Sequence, residues 1–333
     1  MSCASRAPGP TKPGSVQVEF SRLGESNAGH PALTLFSVVR NEAYFLPHLL
    51  QHYRRLGVGD FLFLDDHSTD GTLEFLLAQP DCGVLKANLR FGESYGSKRF
   101  GVAVKTLLPR KLLQDRWVLT VDADEFLILP KPFADVDALT AALGRAGLKE
   151  ARALMFDFFP PTLRSLEGAS PQADPFSLCP FFDAWERTDW PDGAPQPVNL
   201  SNLDGVRPRM FAQLRRASRA LEGFPESYRV PSMYKVPLVY WEANTEMLSP
   251  HHVNRPSSDR IRLGLAHFKF FPGYRERIAE AIASRAYWQD SIEYRFLEIA
   301  ARELADWPLA GPRSRRFESA DSLGEAGLVY SRV

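Results

Sequence analysis

Between residues 33 and 128 the chain alternates short apolar runs with segments of helical periodicity, and each apolar run ends in polar or acidic residues. Leu33 to Val39 (LTLFSVV), Asp60 to Leu64, Gly83 to Leu89 and Trp117 to Val121 are short and rich in β-branched or aromatic residues, and read as buried strands. In YFLPHLLQHYRRLG, Phe45, Leu46, Leu49, Leu50, Tyr53 and Leu56 recur at helical spacing, Pro47 falls in the first turn, and Gly57 suits the stop. A short helix through Leu73 to Leu77 follows DDHSTDGT, and another runs from SYGSKR to about Leu113. This β-α-β-α-β-α-β order predicts an α/β fold with a mostly parallel, Rossmann-like sheet and helices on both faces. Ligands of such sheets bind beyond the carboxyl ends of the strands, where Arg40-Asn41-Glu42, Asp65-Asp66 and Asp122-Ala123-Asp124 all fall.

In RWVLTVDADEFLILP three carboxylates crowd the end of the fourth strand. Strand alternation would put Asp122 and Asp124 on one face, where like charges repel. A divalent cation would relieve that repulsion, and oxygen ligands suit Mg2+ or Mn2+. The plainer alternative is a solvated acidic loop. DDHSTDGT can be a capping turn in which Ser68 or Asp70 caps the next helix. It superficially resembles the Asp-x-Asp-Gly-Thr of haloacid-dehalogenase phosphatases, but the acids Asp66 and Asp70 are spaced too far apart for that nucleophile and its acid partner.

Lys plus Arg and Asp plus Glu each number 40, so no bulk field recruits nucleic acid or anionic membrane, and an anionic substrate must be caught locally. Cys3, Cys82 and Cys179 are far apart and form no CxxC pair, which argues for a reducing compartment and against a disulfide framework or zinc site. No apolar run approaches the ~20 residues of a membrane span, and the first 30 residues hold no apolar signal core. The expectation is a soluble cytoplasmic protein, with peripheral membrane contact left open. Residues 1–30 read as a flexible arm, 31–132 as a ligand-binding half, 133–311 as a second half closing in helices, and 312–333 as a polar, frayed tail. Within the second half, 135–147 looks helical and 151–159 and 234–241 look like strands. Nine prolines between Pro160 and Pro208 exclude regular helices there. Two helices end the region, with Ile292, Phe296, Ile299 and Leu304 as a packing stripe.

VVRNE, an amphipathic helix, LFLDDHSTDGT and VLTVDADEFL, in that order, closely resemble the family 2-like glycosyltransferases of A-type fold. The chain is most similar to their bacterial branch related to the domain-of-unknown-function-23 and family 92 transferases. The resemblance covers residues 33–130 and returns at Lys235, at His251 and His252, and at His267-Phe268-Lys269. It implies an A-type fold with a nucleotide-sugar half and a loop-rich acceptor half. It also implies a nucleoside-diphosphate sugar donor, a glycan or lipid-linked acceptor, Mn2+ or Mg2+, inversion at the anomeric carbon, and bacterial surface polysaccharide synthesis as the setting. By the same resemblance the segment of Val38, Val39, Arg40, Asn41 and Glu42 lies beside the nucleotide base and ribose, and one of Asp65 and Asp66 accepts a hydrogen bond from the base. Asp124 is implied as a direct metal ligand, and Asp122, with Ala123 beside it, as a ribose or metal contact. Lys98 and Arg99 fall where related enzymes place basic residues near the nucleotide sugar; the alternative is a solvated helix start. His267 is a candidate third metal ligand or diphosphate contact, or else a packed strand histidine. His251 and His252 are further candidates, or turn residues after Pro250.

Inversion requires a carboxylate base near the acceptor hydroxyl. The family's usual acidic pair downstream of the Asp-x-Asp motif is not evident, so Asp157 is the first candidate, followed by Asp183, Glu186 and Asp189, each otherwise an ordinary acid. Phe176, Phe181, Phe182, Trp185 and Trp190 could stack on sugar rings or fill a core. Two rivals stay open. A sugar nucleotidyltransferase would want a glycine-rich phosphate loop after the first strand, and RNEAYFLPH has none. A non-catalytic glycan- or nucleotide-binding relative would not need Asp122-Ala123-Asp124.

Overall fold

A computed structural model supplies the structure; it describes residues 17–27, 32–184, 204–216, 221, 224–225 and 233–333, apart from the Trp288 side chain. In chain order the strands are β1 (Phe20–Gly24), β2 (Leu33–Val39), β3 (Phe61–Asp65), β4 (Cys82–Ala87), β5 (Ser94–Tyr95), β6 (Lys98–Arg99), β7 (Trp117–Thr120), β8 (Glu125–Ile128), β9 (Glu150–Phe159), β10 (Phe181–Asp183), β11 (Tyr234–Tyr240), β12 (Ile261–His267), β13 (Ser314–Arg316) and β14 (Tyr330–Ser331). The helices are α1 (Phe45–Arg55), α2 (Thr72–Leu77), α3 (Phe100–Leu112), α4 (Val136–Arg145), α5 (Pro175–Leu178), α6 (Val206–Arg216), α7 (Tyr274–Ser284), α8 (Trp288–Glu303, broken at 289–291) and α9 (Asp321–Glu325).

The centre of the sheet is the parallel run β4-β3-β2-β7. The chain winds outward from β2 through β3 to β4, then crosses back to lay β7 on the other side of β2. The winding direction therefore reverses between β2 and β7, where a sheet of this kind opens its ligand crevice. Beyond β7, β11 and β9 add antiparallel strands, and β9 pairs in parallel with β12. β12 also pairs antiparallel with β8, setting His267 opposite Glu125 on one side and opposite Asp157 on the other. The mixed α/β architecture is the one expected of an A-type fold. Among the described residues no helix is long and apolar enough to cross a membrane.

Near-continuous burial along β2, β3 and β7 matches their predominantly apolar sequences. α1 buries Phe45, Leu46, Leu49, Leu50 and Tyr53 against the sheet, each such side chain contributing about 1.5–3 kcal/mol. The Tyr53 hydroxyl donates to the Glu125 carbonyl and accepts from the Leu127 N–H, both at 3.0 Å, which ties α1 to β8.

Four details differ from the sequence reading. SYGSKR does not begin a helix: Ser94-Tyr95 pairs with Lys98-Arg99 across a turn at Gly96, whose φ of 58° suits glycine, and α3 starts at Phe100. Val121 to Asp124 are not strand, so alternation does not fix where the two aspartates point. The segment expected to be a flexible arm contributes β1, an antiparallel edge strand on β4, with Phe20 stacked on Phe100 at 6.5 Å. The tail from residue 312 is docked, not frayed: β13 pairs with β10, β14 with β12, and Leu323, Leu328 and Val329 are buried. A few apolar residues in a polar stretch suffice because Gly264 in β12 leaves room for the Leu323 and Val329 side chains.

Candidate functional site

The crevice at the β2/β7 switch point is a cleft of about 960 Å3. Val39, Arg40, Asn41, Glu42, Asp66, Asp122, Ala123 and Asp124 line it from the sheet side, and Lys269, Phe271, Arg277, Glu280, Tyr287 and Tyr294 close it from the second half of the chain. Glu186, Asp189, Trp185 and Trp190 lie outside the described residues.

The first motif is held by hydrogen bonds from DDHSTDGT. Asn41, at φ 54°, receives the Thr69 N–H on its Oδ1 at 2.8 Å and donates its own N–H to Ser68 Oγ at 3.1 Å. Thr72 Oγ1 accepts the Glu42 N–H at 2.8 Å, and Asp70 accepts the N–H groups of Ala43 and Thr72, each at 3.0 Å. The polar run is thus chiefly a brace for the neighbouring strand end: Gly71, not Ser68 or Asp70, is the N-cap of α2, and it has no side-chain cap bond. Arg40 Nε and Asn41 Nδ2 both donate to Glu280 of α7, at 2.8 and 2.9 Å. Asp66 accepts the Phe91 N–H at 2.9 Å and faces Arg40 at 3.7 Å; burial outweighs these and raises its carboxyl above the usual range. Asp65 is turned inward, accepting the Ser68 N–H and facing Lys86 at 3.5 Å. Of the two acids, Asp66 is the one in the cleft.

The aspartates of the Asp-x-Asp motif have separate cation partners. Asp122 accepts from Lys105 Nζ at 2.7 Å and lies 3.7 Å from Lys235 Nζ, and these ammonium groups overcome burial to hold its carboxyl far below the usual range. Its side chain is nevertheless 44% exposed. Lys235, fully buried, also donates to Glu125, whose Oε2 accepts the Asp122 N–H at 2.8 Å. Asp124 Oδ2 has Lys269 at 3.5 Å, Arg277 at 3.8 Å and His267 Nε2 at 3.9 Å around it, and these outweigh burial to lower its pKa. The repulsion expected between the two acids is therefore already met by lysine and arginine.

His267 ends β12 with its Nδ1 at 2.8 Å from Asp157 Oδ1, and Asp157 is gripped by Arg207 from α6 at 2.6 and 3.0 Å. Arg207 and His267 overcome burial and keep Asp157 ionised far below the usual range. An ionised Asp157 accepts from Nδ1–H, so in the neutral ring the Nε2 lone pair points toward Asp124. A carboxylate on Nδ1 is the kind of outer support that metal-ligating histidines commonly have. This is not the setting of a proton acceptor, because both Asp157 oxygens are occupied and the residue does not line the cleft. Asp183 is likewise engaged, by Arg209 and Ser314.

The donor set fits a divalent ion on Asp124 and His267. Among the described residues no three His, Cys, Asp or Glu side chains gather as a ligand group, so remaining ligands would come from phosphate oxygens and water, as Mg2+ sites commonly arrange. Lys98 and Arg99 do not line the cleft: Lys98 donates to Glu246 at 3.1 Å, and Arg99 donates to the Gly92 carbonyl at 3.0 Å. His251 pairs with the Tyr234 carbonyl and His252 with Ser249. Phe176, Phe181 and Phe182 pack among Phe158, Phe159, Phe268 and Phe317, as core. Sequence reasoning missed Lys105, Arg207, Arg277 and Glu280. Lys105 offered one signal, a cation between Val104 and Thr106 on the buried side of a helix, which demands an anionic partner.

No family model matches the sequence, and no curated protein matches it. Solved structures that resemble the chain include S. aureus TarS, at 14% identity and TM-score 0.29, over 38% of this chain and 21% of that one. Another is the mannosyltransferase PcManGT from Pyrobaculum calidifontis in complex with GDP-Man and Mn2+, at 18% identity and TM-score 0.26, over 40% of this chain and 38% of that one. A third is UDP-glucose pyrophosphorylase from Acinetobacter baumanii, at 9% identity and TM-score 0.30, over 81% and 92% of the two chains. The matched part is thus well under half the length of the first two.

Proposed function

We propose that the chain is a metal-dependent glycosyltransferase that moves a sugar from a nucleoside-diphosphate sugar to a glycan or lipid-linked acceptor, with inversion, in bacterial surface polysaccharide synthesis. The supporting observation is the cleft at the β2/β7 switch point, where the Arg40-Asn41-Glu42 end, Asp66 and Asp124 converge from the ends of three strands, with His267 Nε2, backed by Asp157, 3.9 Å from Asp124 Oδ2. In the transfer, the bond from the anomeric carbon to the phosphate oxygen breaks and its electron pair goes to the diphosphate. The acceptor oxygen bonds to that carbon, and the hydroxyl proton leaves to a base.

The chain's residues have distinct tasks in this scheme. Asp66 and the Val39–Asn41 strand end hold the nucleoside, with Arg40 and Glu280 fixing their geometry. Asp157 holds the His267 ring, and Lys105 and Lys235 fix Asp122. When bound on Asp124 and His267, Mn2+ or Mg2+ supplies Lewis-acid stabilisation of the leaving diphosphate. Calorimetric titration of UDP, GDP and CMP with and without Mn2+, on wild type and Asp124→Ala, tests the proposal. Binding of one nucleotide that needs the metal and is lost in the variant is expected. Binding that ignores both metal and Asp124 would remove this donor-site assignment.

A further inference from the structure

Two cations of the second half of the chain stand in the cleft beside Asp124 without a role so far. Lys269 lies two residues past β12, its Nζ 3.5 Å from Asp124 Oδ2 and 5.8 Å from the centre of the Tyr294 ring. Only 16% of its side chain is exposed, and among the described residues its ammonium makes no hydrogen bond. Its Nζ stays in reach of water in the cleft, where its three N–H donors remain available. Arg277, one turn into α7, donates to Glu42 and has Nη1 at 3.8 Å from Asp124 Oδ2, which leaves most of its five N–H donors open. Its plane is fixed by Phe271 and Phe45, whose ring centres lie 4.7 and 5.5 Å away.

Charge decides what these donors suit. Lys269 and Arg277 face Asp124 at distances too long for a hydrogen bond, and Arg277 shares one donor with Glu42. An anion arriving with several oxygens could take the unused donors at short range, and a divalent ion on Asp124 and His267 would offset the acids around it. We propose that Lys269 and Arg277 bind the diphosphate of the donor and stabilise the charge it gains as the bond to the anomeric carbon breaks. This rests on the glycosyl-transfer reading of the same cleft. The electron pair of that bond ends on a terminal phosphate oxygen, where two positively charged donors act without reorganising.

The test is calorimetric titration of UDP, UMP and uridine, with the GDP, GMP and guanosine series beside it, at fixed ionic strength and saturating Mn2+. Wild type is expected to prefer the diphosphate to the monophosphate. Lys269→Met, which removes a charge that makes no hydrogen bond in the fold, is expected to lose roughly 10- to 100-fold in diphosphate affinity while its nucleoside affinity holds. Arg277→Gln gives an independent arm, since glutamine can still donate to Glu42, and Lys269→Arg is expected to retain the preference. Folded Lys269→Met and Arg277→Gln proteins that keep the wild-type diphosphate preference would overturn this inference and leave the transferase reading standing. A wild type that binds no nucleotide at all would overturn both.

Discussion

Lys235→Met removes the cation at the centre of the Asp-x-Asp turn. Lys235 is fully buried, donates to Glu125 and lies 3.7 Å from Asp122; Glu125 is 2% exposed. Asp122 keeps Lys105 at 2.7 Å, so the loss falls mainly on Glu125. That carboxylate would retain the Asp122 N–H as a partner but no counter-ion, beside two other acids. Breaking a buried pair from one side costs about 3–5 kcal/mol, and the loss should appear in urea unfolding followed by tryptophan fluorescence. Burial already raises the Glu125 pKa, and removing Lys235 raises it further. An acid whose folded pKa lies above its unfolded value stabilises the fold while protonated and loses that contribution as pH rises through the folded value. The deficit of Lys235→Met should therefore shrink as pH falls from 8 toward 5. The double variant Lys235→Met/Glu125→Gln should recover more than half of the loss at neutral pH, because no uncompensated charge is left. A single-variant loss below about 1 kcal/mol, well under the range expected of a broken buried pair, or a double variant no better than the single, would refute the claim that Lys235 neutralises Glu125.

Asp157→Asn should lower Mn2+ affinity and turnover together by about 10- to 100-fold, as for lost outer support of a metal-bound histidine; abolished turnover with unchanged metal affinity would instead make Asp157 the base. Gly264→Ala would set a Cβ 3.0 Å from Leu323 Cδ1 and Val329 Cγ2 and 3.2 Å from Ile128 Cβ, so thermal unfolding should show a loss of about 1–3 kcal/mol and release of the docked C-terminal segment to proteolysis. Burial, with Asp124 adding and Arg277 opposing, pushes the Glu42 carboxyl up to about 7. Titrations at several pH values should show nucleoside-diphosphate binding weakening as pH rises through that value, where Glu42 gains charge and competes for Arg277, and Glu42→Gln should flatten the profile.

Much of the first half of the fold was legible because its strands are buried on both faces and its helices on one, so composition and periodicity carry the topology. The motif residues at the ends of those strands do line one cleft, with Asp65 turned inward beside Asp66. What could not be read is what depends on strands distant in sequence. The setting of Asp157 follows from β12 pairing beside β9 and from Arg207, fifty residues on, arriving from α6. Lys98 and Arg99 looked like donor-site cations because charge and position in sequence were all that could be judged, and the hairpin that turns them to Glu246 and to backbone carbonyls has no local signature beyond Gly96. The second-half cations that face the cleft, Lys269 and Arg277, come from just past a strand end and from a helix whose packing against the first half has no periodic signal.

The central claim is that the cleft transfers a glycosyl group and releases a nucleoside diphosphate. Phosphorus NMR of the protein with Mn2+, a panel of nucleotide sugars and a mixture of glycan and lipid-linked acceptors reads the outcome directly. The account predicts a nucleoside diphosphate appearing from one donor, faster with acceptor, and absent with Asp124→Ala. Formation of a nucleoside triphosphate and a sugar 1-phosphate when pyrophosphate is added, with no nucleoside diphosphate from any donor, would contradict it.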